Sequence, residues 1–218
     1  MIGALFLIAM VASLVGGTIV NSIISTPEPL DAVSQNESQL LFGVFLEILN
    51  ALAVVGIAIL MFAIIKEHNE TMAVGYLGFR IIESLFCVFI VIAPLTLLTI
   101  NQIFTGPGNL TAVSLDAVSA LSNAIRAVVV DWFIPIFFSL GALVLYTFLY
   151  RSKRLPRFIA IWGFIAAVLI VLLVVLKFLN MEVSISLNMV IALPIILNEI
   201  FMGIWLIAKG FKPLFPAI

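Results

Sequence analysis

The sequence predicts an all-α, polytopic integral membrane protein with six transmembrane helices and an amphipathic helix before the fourth, forming a single transmembrane domain over residues 1–218. Three observations carry this expectation. The chain is 64% hydrophobic and 10% charged, with a mean hydropathy of +1.34, whereas soluble domains are about half apolar and about a quarter charged. Its apolar residues fall in runs that supply the roughly 20 residues needed to cross a ~30 Å hydrocarbon core. Charged residues gather mainly in short stretches between those runs.

The first span, Ile2 to Ile24, contains no charge. No basic residue precedes it and it is too long for the apolar core of a signal peptide, so it reads as a retained helix, with Ala12 and Gly16 as a small-residue packing face. Thr26 to Gln39 is a polar loop carrying Pro27, Glu28, Pro29, Asp31 and Glu37. Leu40 to Ile65 forms the second span, interrupted by Glu47 and Asn50. The polar hairpin Lys66 to Glu70 leads to the third span, Ala73 to Ile100, with Arg80 and Glu83 in its first half and Pro94 later. Thr105 to Asn109 is a turn by its Gly and Pro content. Beyond it Leu115, Val118, Leu121, Ile125, Val128 and Trp132 recur at helical spacing, opposite Asp116, Ser119, Asn123 and Arg126. This predicts an amphipathic helix that lies in the interface or leads into the fourth span, Trp132 to Tyr150. The basic turn Arg151 to Arg157 precedes the fifth span, Phe158 to Leu179, and the loop Asn180 to Asn188 precedes the sixth, Met189 to Ala208.

Basic residues set the orientation of such a chain. With six spans, Lys66, Arg151, Lys153, Arg154, Arg157, Lys209 and Lys212 share one side, and the opposite loops carry Glu28, Asp31, Glu37, Asp116 and Glu182 with only Arg126 and Lys177 nearby. Both termini are therefore expected in the cytoplasm, with the chain in the cell membrane. The net charge of −1 gives no support for nucleic-acid binding. One histidine, His68, and one cysteine, Cys87, exclude HExxH zinc chemistry, bis-His haem, CxxC sites and Cys/His dyads within one chain, and no metal or other cofactor is expected. Three Asn-x-Ser/Thr matches, at Asn36, Asn69 and Asn109, carry no weight; Asn69 falls on the expected cytoplasmic side.

Polar residues inside a span are costly unless paired, protonated or facing a polar space, which makes them the candidate site. On span three Tyr76, Arg80, Glu83 and Cys87 follow i, i+4, i+7, i+11 and form one stripe. Gly43, Glu47 and Asn50 do the same on span two. Asn198 and Glu199 on span six stand about 100° apart, so they address two different neighbours. Counting the helical rise from the expected ends puts Asn50, Glu83 and Glu199 roughly 12–15 Å deep. Arg80 is the fixed cation set against Glu47, Glu83 and Glu199, so the remaining carboxylates should hydrogen-bond, share protons or bind a cation. The expectation is a polar midplane pocket made by spans two, three and six. Prolines add to it: Pro94, Pro135 and Pro194 free the carbonyls of Ile90, Asp131 and Val190. Asp131 beside its own freed carbonyl, with Arg126 nearby, suggests an external vestibule or cation site. The bland alternatives are buried pairs that only fix helix register and a solvated, interfacial Asp131. The basic turn sets topology and suits anionic lipid headgroups through Arg151, Lys153, Arg154 and Arg157.

Three segments also carry a resemblance. Tyr76-Leu-Gly-Phe-Arg80-Ile-Ile-Glu83, the turn Tyr150 to Arg157 followed by Trp162-Gly163, and Leu193-Pro194 through Asn198-Glu199 to Trp205 and Lys209-Gly210-Phe211 resemble, in the expected order, the domain-of-unknown-function 4386 family of prokaryotic multi-pass membrane proteins. The resemblance implies that Arg80, Glu83, Pro156, Arg157, Glu199 and Lys209 occupy the family's motif positions, and it implies no reaction. Family members begin with a few polar or basic residues before the first helix; their absence at Met1-Ile2-Gly3 points to a truncated start.

Three functions fit these residues. The preferred one is binding or transport of a small molecule, lipid or cation in the midplane pocket, with a homodimer as a natural corollary of having only six helices. The second is an intramembrane lipid enzyme with Glu199 and Glu83 or Glu47 as acid and base, with or without a divalent metal. The third is a non-catalytic accessory or sensor subunit. Residues alone leave open whether the protein is an enzyme.

Overall fold

In hydrocarbon every backbone N–H and C=O must find a partner within the protein, so long apolar runs fold as helices. The computed structural model describes residues 1–104, 112–181 and 183–212, and no strand occurs among them. In chain order the helices are α1 (Ile2–Ile24), α2 (Pro29–Gln35), α3 (Glu37–Lys66), α4 (Glu70–Phe89), α5 (Ile92–Phe104), α6 (Ala112–Val128), α7 (Ile134–Ser152), α8 (Arg157–Phe178) and α9 (Ile185–Ala208), with a π-helical turn, Val129–Phe133, between α6 and α7. Six helical stretches are long and apolar enough to cross a membrane. The chain is thus an all-α, multi-pass membrane protein, as its composition predicts.

Four details differ from the expected boundaries. The loop after span one contains α2, started by Pro29, whose fixed φ suits a first helical position, and anchored by the buried Val33. Span three is broken at Ile90 and Val91, four and three residues before Pro94, so it comprises α4 and α5. Span four begins well before Trp132: of the two forms expected for the amphipathic segment the structure has the extension, α6 continuing through the π-helical turn into α7 as one stretch from Asp116 to Ser152. Finally, α9 begins at Ile185, where the Ser184 hydroxyl accepts the Leu187 N–H at 3.2 Å. Asn69 likewise caps α4, its side chain accepting the Met72 N–H at 2.8 Å. The turn Thr105 to Asn109 lies outside the described residues, as does Glu182.

The six spans close into a ring in chain order. Helix α1 packs on α3, α3 on α4, α4 on α7, α7 on α8, α8 on α9, and α9 back on α1. Glycines let the last contact close: a Cβ on Gly203 would meet Leu7 at 2.9 Å and the Gly3 carbonyl oxygen at 3.2 Å. That contact lies at the end of the ring where both termini sit, here called the near end. Toward the far end α9 is less covered: Leu187, Met189, Val190 and Leu193 are all exposed, and the first buried residue along the described part of α9 is Ile195, just past Pro194.

Two apolar clusters hold the ring. The larger joins α1, α3, α4, α7, α8 and α9 around Phe6, Ile57, Tyr76, Tyr146, Ala166 and Met202. The second gathers Val20, Ile24, Val33, Leu40, Ile90, Leu97 and Val129 beneath α2, α5 and the π-helical turn. In the larger cluster Tyr146 lies so close over Gly163 that a Cβ at residue 163 would overlap its ring. Gly163→Ala is therefore expected to destabilise the protein by about 1–3 kcal/mol through overpacking, whereas Gly75→Ala, where an added Cβ meets nothing within 4 Å, is expected to be neutral or slightly stabilising. Sodium dodecyl sulfate titrations of the two variants in mixed micelles, read by circular dichroism, compare them.

Candidate functional site

A cavity of about 470 Å³ lies inside the ring and is lined by residues of α1, α3, α4, the α6–α7 segment, α8 and α9. Its walls are mostly apolar, with Phe6, Val54, Ile57, Phe138, Ile170 and Ile195 among them. Set into these walls are Glu47, Asn50, Arg80, Glu83, Glu199 and Arg126. Five of the seven candidate pocket residues therefore meet in one space: Glu47, Asn50, Arg80, Glu83 and Glu199. Cys87, the chain's single cysteine, also lines it.

The charges form two groups. In the first, Arg80 and Glu83 sit three residues apart on α4, so one helical turn brings them together. Arg80 Nη1 donates to both Glu83 oxygens, at 3.0 and 2.8 Å, and both side chains are buried. Arg80 Nε donates to the Tyr76 hydroxyl at 3.4 Å, which continues the stripe along α4. The guanidinium also lies 5.3 Å from the centroid of the Phe138 ring on α7, and Gly141 leaves room for its stem, since a Cβ there would come 3.2 Å from Arg80 Cδ. Glu199 approaches Arg80 Nη2 from α9 at 3.8 Å, beyond hydrogen-bond distance, and its side chain keeps 12% of its exposure against 5% for Glu83. Glu199 is thus the loosest-held carboxylate of the site.

The second group was not expected. Arg126, assigned by its spacing to the polar face of an interfacial helix, is buried and pairs with Glu47 through both Nη1 (3.0 Å) and Nη2. Its Nη1 also donates to the Ile90 carbonyl at 2.9 Å, and its Nε to Asn21 Oδ1 of α1 at 3.3 Å. The reading of Arg80 as the site's sole cation is corrected accordingly: two guanidinium groups face three carboxylates. The reason is that α6 is turned inside out relative to a soluble amphipathic helix. Leu121, Ile125 and Val128 are exposed, while Ser119 and Arg126 are buried and Asn123 Nδ2 donates to the Ile24 carbonyl at 2.7 Å. Beside lipid, a polar helix face finds its partners only inward. Helix α6 is thereby tied by Asn123 and Arg126 to the far end of α1, and Arg126 closes over the cavity there. A sequence signal for this docking existed in Ser13, Gly17 and Asn21, spaced i, i+4, i+8 on α1, all of which line the cavity.

Asn198 and Asp131 are placed elsewhere. Asn198 is fully buried but points to α8, donating to the Ile159 carbonyl at 3.0 Å, so adjacent residues of α9 do address two neighbours. Asp131 does not line the cavity; its carboxylate, 56% exposed, receives Lys177 Nζ from α8 at 3.1 Å, and the same ammonium reaches the Asp131 carbonyl at 3.5 Å. The expected neighbour Arg126 is engaged with Glu47 instead. At the near end the Arg154 guanidinium pairs with Glu67, Arg157 lies over the Tyr150 ring at 5.4 Å, and Arg151, Lys153 and Arg157 are exposed. Among the described residues no group of three or more His, Cys, Asp and Glu side chains is placed to hold a metal ion.

A closed ring of six apolar helices around a charged cavity defines a multi-pass membrane protein embedded in a lipid bilayer. Its residues 1–210 of 218 match the family model described as Domain of unknown function (DUF4386), and the chain belongs to that family. Three of the residues that carried the resemblance, Arg80 and Glu83 on α4 and Glu199 on α9, also line the cavity. Comparison with curated proteins and with solved structures found no match.

Removing one member of a buried ion pair leaves the other uncompensated, at a typical cost of about 3–5 kcal/mol, while replacing both by apolar groups is often neutral. Arg126→Met is therefore expected to destabilise the protein by that amount, and Arg126→Met combined with Glu47→Leu to recover most of the loss. The coupling is measured as a double-mutant cycle from unfolding in mixed micelles.

Proposed function

We propose that the protein binds a small molecule in the ring cavity, with Glu199 as the group that engages it. The supporting observation is the unequal use of the three carboxylates. Arg80 holds both oxygens of Glu83 and Arg126 holds both of Glu47, while Glu199 faces the cavity at 3.8 Å from its nearest cation. A cavity of about 470 Å³ falls within the ~300–1,000 Å³ common for small-molecule sites. The same inequality favours binding over acid–base catalysis, since a carboxylate pair would have only one member free of a bidentate arginine. The ring closes within one chain, so the proposed site is complete without a second copy.

In this reading the six spans act as one domain in the cell membrane, with the basic near end and both termini in the cytoplasm. A carboxyl-terminal reporter active only in the cytoplasm tests that placement. Movement of the ligand across the membrane would require α6 to separate from the far end of α1.

Cys87 supplies a native probe, being the chain's one thiol and part of the cavity wall. With Glu199 facing the cavity, Cys87 in the purified protein is expected to react faster with cationic 2-aminoethyl methanethiosulfonate than with anionic 2-sulfonatoethyl methanethiosulfonate. The expected ratio is about tenfold once normalised to their rates with a free thiol, corresponding to about 1.4 kcal/mol. Glu199→Gln should bring the ratio close to that of the free thiol. A ratio indifferent to Glu199→Gln removes Glu199 from the proposed role.

A further inference from the structure

Resting on the binding site just described, we infer that its ligand is a single-chain amphiphile with an ammonium headgroup, entering sideways from the bilayer. Three observations converge on that class. The first is charge. Glu47, Glu83 and Glu199 against Arg80 and Arg126 leave one unmatched negative charge when all are ionised, in a space walled by apolar side chains. A low-dielectric interior penalises that excess, and a cationic headgroup beside Glu199 removes it. An anionic headgroup would find only Arg80 Nη2 without a hydrogen bond, and there Glu199 already stands at 3.8 Å and repels it.

The second observation is the way in. Ser13, Leu14 and Thr18 of α1 and Val130 of the π-helical turn line the cavity and are exposed at the same time. Ile195 and Ile196 of α9, just past Pro194, line the same cavity, and its open side is read as lying between α1 and α9. This opening lies along the flank of the ring, within the length of α1, and so faces hydrocarbon; Arg126 closes over the cavity at the far end. A solute arriving through it must first partition into lipid.

The third is the gradient of chemistry from window to floor. Leu14, Val130, Ile134 and Ile196 offer an apolar path, and the loosely held carboxylate of Glu199 stands at its inner end. An alkyl chain with a terminal ammonium matches this order: the head meets Glu199 and the chain occupies the apolar passage. An ammonium donates hydrogen bonds to the lone pairs of Glu199 that Arg80 leaves unused.

The test uses the full chain reconstituted in phosphatidylcholine vesicles, with Cys87 modification by neutral methyl methanethiosulfonate as the readout. Dodecylammonium, dodecanol and dodecanesulfonate are compared at equal mole fraction in the membrane. Dodecylammonium is expected to halve the modification rate at a mole fraction at least tenfold below the other two. Glu199→Gln should abolish that preference and Glu199→Asp should keep it, which separates lost charge from lost structure. Val130→Trp, which narrows the window, should slow modification in the unliganded protein by about fivefold. Equal protection by all three amphiphiles, or a preference that survives Glu199→Gln, overturns the ammonium assignment while leaving a binding cavity. No protection by any of them overturns the binding reading as well. An unaltered rate in Val130→Trp overturns sideways entry.

Discussion

A guanidinium inside a bilayer has no water to fall back on, and Arg126 meets that constraint by drawing three separate parts of the chain to α6. Glu47 comes from the middle of α3, Asn21 from the end of α1, the Ile90 carbonyl from the break between α4 and α5, and Arg126 from α6. None of these contacts is local; the nearest partner in sequence is 36 residues away. The far end of the ring depends on them. Without the pair α6 would have no reason to stay tied to α1 with its apolar face turned outward, and Glu47 would be a bare charge in an apolar wall. Removal of either partner leaves a penalty that the hydrophobic contacts of α6, largely spent on lipid, cannot offset.

Two prolines take part in the same logic. A proline within a span removes the N–H that would have satisfied the carbonyl four residues earlier. Pro94 frees Ile90, and Arg126 takes that oxygen; Pro135 frees Asp131, and Lys177 takes that one together with the carboxylate. In both places the break in one helix supplies an acceptor to a cation arriving from another. The break and the cation stabilise each other, so neither is costly on its own terms. The π-helical turn Val129–Phe133 accommodates the second of these breaks while letting α6 and α7 remain continuous.

Much of this was legible in the residues, and the part that was not has a physical explanation. Hydropathy located all six spans, because the need for about 20 apolar residues leaves little freedom. The stripe Tyr76, Arg80, Glu83 and Cys87 is buried as its spacing implied, and the Arg80–Glu83 pair forms because i, i+3 geometry is internal to a helix. The divergence of Asn198 and Glu199 is likewise a property of one helix. Contacts between helices were the blind spot. Spacing told that α6 had two faces, and an interfacial helix turns the apolar one to lipid, as the structure does; it did not tell whether the polar face met water or the other helices. That open question hid Arg126 as the partner of Glu47. Asp131 had the right chemistry for a cation, and Lys177 on α8, far away in sequence, proved to be that cation.

The two charge groups differ in a way that packing alone does not require. If fixing helix register were the whole task, the economical solution would be equal numbers of each sign, all at hydrogen-bond distance, as Arg126 and Glu47 achieve with Asn21 and the Ile90 carbonyl. Around Arg80 the numbers are unequal. Glu83 takes two hydrogen bonds, Glu199 is left at 3.8 Å, and the room beside it belongs to the cavity. Glu199 is also carried by α9 while Arg80 and Glu83 share α4, so a small shift of α9 would change the Arg80–Glu199 distance without disturbing Arg80–Glu83. Under the binding proposal, a carboxylate beside the cavity that no cation holds at hydrogen-bond distance serves as the binding group, while a charge locked by four hydrogen bonds is a structural fastener.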